Sequence, residues 1–176
     1  MPRTIEDIDV TVTGTVRADP RLTWVTVSDT ECIREHVPGL SDLEHVGRGP
    51  AMTDGGAAGT ATVVSPTRQA IDAGETYTAT LTAPLDRLPM EFDTYCTVEE
   101  HRFPRTTATV GGDGSMGSFD AQAGITLEED PDGTRVEWSA RVDVAGPIAG
   151  LGEDAIRRVV THVVESYVDR LDATLA

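Results

Sequence analysis

Lysine is absent from this 176-residue chain: all 14 basic side chains are arginines, and 30 Asp and Glu side chains outweigh them to a formal net charge of −16. So acidic a surface repels phosphate, which excludes tracking along nucleic acid and a charge-driven footprint on anionic lipid. In dilute buffer the self-repulsion is costly, but at about 1 M salt the Debye length falls to about 3 Å and the cost nearly vanishes. The composition points to a salt-rich cytosol of the extreme-halophile kind. The alternative is an ordinary acidic cytosolic protein whose missing lysine reflects a GC-rich genome.

Cysteine is scarce as well. Cys32 and Cys96 are too few and too far apart for a disulfide framework, and a reducing cytosol keeps both as thiols, small hydrophobes of the interior. No apolar run approaches the roughly 20 residues that span a bilayer. The opening stretch carries Arg3, Glu6, Asp7 and Asp9 where a secretory leader would place a basic and then an apolar region. These absences give the expectation of a cytoplasmic protein, residues 1–176 forming one domain, with length enough for a sizeable core and no transmembrane segment.

What is present is a change of period along the chain. Ile8, Val10, Val12 and Val16 alternate with polar residues, predicting a half-buried strand over about 7–17. Asp19 with Pro20, and then Asp29, are start signals for two short helices, the second stopped near Val37 by Pro38 and Gly39. Leu43 to Val46 reads as a short strand, and residues 47–74, rich in Gly, Ala, Thr and Pro, read as an insertion with a candidate strand at Thr60 to Val64 and a helical turn from Ser65 to Ile71. Alternation returns through Tyr77, Ala79 and Leu81, through Met90 to Val98, in a weaker strand at Arg105 to Val110, and again through Phe119 to Leu127. Asp130-Pro131-Asp132-Gly133 is a hairpin turn whose return strand buries Val136, Trp138, Ala140, Val142 and Val144. From Leu151 the apolar residues adopt a period of about 3.6, the mark of one long amphipathic helix. Its stripe is Leu151, Ala155, Val159, Val163, Tyr167 and Leu171, with Ile156, Val160, Val164 and Val168 beside it.

Chemistry-bearing clusters are thin. Cys32 and His36 stand four apart on a helix, but a zinc site needs about four converging ligands and neither His45, His101, His162 nor Cys96 completes a spacing pattern. Glu99, Glu100, His101 and Arg102 sit at a strand end, where charged turns are normal. Gly111, Gly112, Gly114 and Gly117 lack the following helix and lysine of a phosphate loop and read as a flexible hairpin turn or a cavity lip. Neither a metal site nor a cofactor site is expected.

The order strand, two short helices, antiparallel strands and long C-terminal helix resembles the helix-grip fold of the START-like (SRPBCC) superfamily, an α+β fold with about seven strands curved around the long helix. Trp24, Ser28, Asp29, Glu31 and Cys32 to Gly39, with Leu43 to Val46, resemble the carbon monoxide dehydrogenase G-subunit family. So do the acidic hairpin Glu128 to Thr134, the strand ending at Val144, and Gly146 to Gly152. The likeness spans nearly the whole chain outside 47–74, where the family has a short hairpin, and the hydrophobic tail some relatives carry has no counterpart here.

The resemblance implies a cavity between sheet and long helix that holds a lipophilic, plausibly quinone-like molecule, and a non-catalytic accessory role beside a molybdenum hydroxylase; contact with a membrane surface stays open. By parity its walls would be Met90, Phe92, Phe119, Ala123, Trp138, Leu151, Ala155, Val159, Val163 and Tyr167. Tyr167 and Trp138 would be its polar anchors. Two rival functions differ in kind. A polyketide cyclase or dehydratase would need an acid or base inside the cavity, and a protein-protein adaptor would have a filled cavity and an exposed apolar patch.

Overall fold

In β1 (Thr4–Val16), Ile8, Val10, Val12 and Val16 are buried while Asp9, Thr11 and Thr15 face solvent, so alternation in sequence becomes one apolar face. The computed structural model describes residues 4–48, 70–85 and 88–175. Helix α1 (Pro20–Val27) starts where the Asp19 carboxylate accepts the Leu22 amide at 2.9 Å, and α2 (Thr30–His36) where Asp29 accepts the Glu31 amide at 2.8 Å. Six further strands follow: β2 (Leu40–Arg48), β3 (Glu75–Leu85), β4 (Leu88–Arg102), β5 (Arg105–Gly114), β6 (Gly117–Asp130) and β7 (Gly133–Ala145). A 3-10 turn (Pro147–Leu151) leads into α3 (Glu153–Leu175). The seven strands form one antiparallel sheet in the order β1-β7-β6-β5-β4-β3-β2.

Helix α3 lies mainly against β1. Ile156, Val164, Val168 and Leu171 are its buried stripe, part of one core with Val10, Val12, Val136 and Val142. Gly14 permits the close approach, because a Cβ there would stand 2.8 Å from Cγ1 of Val168. Gly14→Val should therefore push the helix off the sheet and destabilise the protein by about 1–3 kcal/mol, the usual cost of overpacking. Urea midpoints of the two proteins measure it, and an unchanged midpoint would show that the contact yields freely.

Two latches fix the far end of α3. The Arg17 amide and guanidinium both donate to Asp172, at 2.7 and 3.0 Å, and this pairing holds the Asp172 carboxyl below its ordinary pKa. His36, buried, donates from Nδ1 to the Cys32 carbonyl at 2.7 Å, and its Nε2 is hydrogen-bonded with the Thr174 hydroxyl at 2.8 Å. The neighbours Cys32 and His36 thus serve to join α2 to α3.

Three sequence expectations need correction. The strand read at Leu43 to Val46 extends over Leu40–Arg48. The glycines at 111, 112 and 114 belong to strand β5, and only Ser115 and Met116 turn the hairpin. They are packing devices: a Cβ on Gly111 would meet the Tyr95 ring at 2.5 Å, and one on Gly112 the Phe119 ring at 2.5 Å. Leu151 precedes the long helix, because Gly152 at φ +92 breaks the chain between the 3-10 turn and α3. The candidate strand Thr60 to Val64 and most of the 47–74 insertion lie outside the described residues. Where the described chain resumes, Ala70 bridges Asp29 and the Ile71 amide donates to the Ser28 carbonyl at 2.8 Å.

Candidate functional site

The sheet curls around more volume than its side chains fill. Ala79 on β3, Ala108 on β5, and Ala123 and Gly124 on β6 are small residues in the sheet's middle, and Val163 of α3 lies across from them. Between them is a cavity of about 350 Å³, within the usual range of small-molecule sites. Its floor is the concave face of β3 to β7. Val163, Val164 and Tyr167 of α3 form one wall, and Val27, Ile33 and Val37 from the α1–α2 region form another.

The described lining is overwhelmingly apolar and contains no Arg, His, Asp or Glu side chain. Thr94 and Thr106 commit their hydroxyls to the carbonyls of Ala79 and Glu100, at 2.8 and 2.9 Å. Burial pushes the Cys96 thiol up to about 11, so it stays protonated and is a poor nucleophile. Burial, reinforced by Glu75, pushes the Tyr77 hydroxyl up to about 12, and burial raises Tyr167 further. Neither tyrosine hydroxyl nor the Trp138 indole N–H has a hydrogen-bond partner among the described residues, and all three residues line the cavity. Buried tyrosine and tryptophan ordinarily find such partners. These three stand ready for one.

Of the ten residues that parity selected, the structure brings four together here: Ala123, Trp138, Val163 and Tyr167. Met90, Phe92 and Phe119 pack into the core beyond the cavity, the two phenylalanine rings edge to face with centroids 5.4 Å apart. Leu151, Ala155 and Val159 instead line an open groove along the helix, Val159 also packing against the core. The cause is the seating of α3: with Val168 against Gly14 of β1, the neighbouring stripe reaches the cavity only from Val163 onward. Sequence reasoning missed the contribution of the two short helices and of Leu43, Tyr77, Cys96 and Val98. The parity of Tyr77 with Ala79, and of Cys96 with Val98, was the available signal.

Among the described residues no three His, Cys, Asp or Glu side chains cluster as metal ligands, and no helix is long and apolar enough to cross a membrane. The two cysteines are free.

A seven-stranded antiparallel sheet gripping a long C-terminal helix over an apolar cavity defines a helix-grip, START-like protein. Solved structures agree on the fold. A conserved protein from Geobacillus kaustophilus superposes with a TM-score of 0.70 at 15% identity, covering 95% of this chain and 93% of the other. A protein from Rhizobium leguminosarum gives 0.69 at 11% identity over 99% and 97% of the two chains. One from Thermus thermophilus gives 0.59 at 15% identity over 96% and 99%. No curated protein matches the sequence. The family model for the G subunit of carbon monoxide dehydrogenase (CoxG) matches residues 66–176, and the chain belongs to that family. The matched stretch includes the acidic hairpin and the Gly146 to Gly152 segment, while Trp24 to Val46 lies before it.

Proposed function

We propose that this protein is a non-catalytic carrier of a hydrophobic small molecule, quinone-like in character, working in the cytoplasm beside a carbon monoxide dehydrogenase-type molybdenum hydroxylase. The observation that carries the reading is the apolar cavity lined by Tyr77, Tyr167 and Trp138, whose polar groups have no partner among the described residues. The family name supports the partner enzyme. Against an enzyme stands the lining: general acid-base work wants a group that titrates near the operating pH, and the tyrosines and Cys96 here are all pushed upward.

One observation favours the adaptor as a second reading. Leu22 and Val25 on α1 are 47% and 63% exposed, and Phe103 in the β4–β5 turn is 40% exposed, with Trp24 between His101 and Phe103. An adaptor would use that patch and leave the cavity without an occupant.

The neutral fluorophore N-phenyl-1-naphthylamine separates the two readings. A carrier should bind it saturably at one site with a rise in emission, whereas an adaptor should give a linear, unsaturable signal.

A further inference from the structure

The cavity meets charge at one corner. The Tyr77 ring, only 5% exposed, packs with its centroid 5.1 Å from that of His45. Nε2 of His45 is paired with the Glu75 carboxylate, and the two side chains are 16% and 18% exposed. The pair fixes the ring that backs Tyr77. Asp72 lies close enough, with Glu75, to add to the burial that holds the Tyr77 proton. Tyr77 is thus a lasting hydrogen-bond donor. Tyr167 and Trp138 add an O–H and an N–H from the other walls, and no cationic side chain lines the described cavity.

A carboxylate brought into this space would lose its hydration and gain no counter-charge from the described lining. That combination is strongly unfavourable for an anion. A ketone, aldehyde or alcohol would instead exchange one water hydrogen bond for one from Tyr77.

We propose that the cavity selects neutral apolar molecules bearing a hydrogen-bond-accepting oxygen, with Tyr77 as the donor that recognises that oxygen, and rejects the matching carboxylates because its described lining holds no cation. The inference rests on the carrier reading.

Its test is displacement of N-phenyl-1-naphthylamine at pH 8 in molar salt by decanol, methyl octyl ketone and decanoate, with each compound also titrated calorimetrically without the probe. Decanol and the ketone should bind, and decanoate should bind at least about 30-fold more weakly. Tyr77→Phe keeps the ring against His45, so it should weaken the ketone by about tenfold and leave the probe within about twofold. Tyr167→Phe should weaken the ketone less. Decanoate binding as well as the ketone, or an unchanged ketone affinity in Tyr77→Phe, would overturn the selectivity while leaving the carrier intact. Failure of the probe and all three compounds to bind would overturn both.

Discussion

Ala123→Phe and Val163→Trp should each abolish saturable binding of the neutral probe while moving the urea midpoint little. Both side chains face the cavity of about 350 Å³, so the added ring enters space that the native side chains leave open. Elsewhere in the interior the same change has no such space, because protein cores are packed to crystal-like density. Ala140 is the matched control: it is 7% exposed, sits on β7 within the packed core and does not line the cavity. Ala140→Phe should cost about 1–3 kcal/mol or more and leave the probe bound in whatever fraction stays folded. If Ala123→Phe proves as destabilising as Ala140→Phe, and the parent never binds the probe, the cavity is filled in solution and the adaptor reading takes its place.

The second large effect is on thermal stability. At a formal charge of −16, with Asp7, Asp9 and Asp143 gathered where Arg141 supplies the cation, the folded state concentrates like charges that the unfolded chain spreads apart. Molar salt shortens the Debye length to about 3 Å. A relief of a few kcal/mol in a chain of this length raises Tm by on the order of 10 °C. Differential scanning at low and molar potassium chloride, at constant pH, gives the answer. Equal melting temperatures would mean that the acidity is no salt adaptation, and the ordinary acidic-cytosol reading would stand.

The fold was largely legible because its instructions are local. Alternation marked the strands, Asp19 and Asp29 with their amide partners marked the short helices, and Asp130 to Gly133 marked the last hairpin. The site was half legible, for a geometric reason. Parity says which face of a strand looks inward but not where along the sheet the helix crosses it. Gly14 lets Val168 down onto β1, and that single seating leaves Ala155 and Val159 outside the cavity and puts Val163 and Tyr167 on its wall. The glycines of β5 misled for a related reason: without the Tyr95 and Phe119 rings above them, nothing in the sequence distinguishes packing glycines from turn glycines. His45 and Glu75 stand 30 positions apart, on strands joined through the insertion, so their pairing had no sequence signature.

Native mass spectrometry of the protein purified without detergent from the cells that make it tests the central claim most directly. The account predicts a complex carrying one neutral organic molecule, released on unfolding and missing from Val163→Trp prepared in the same way. A wild-type spectrum showing the bare chain mass alone, from protein that also fails to take up N-phenyl-1-naphthylamine, would contradict it.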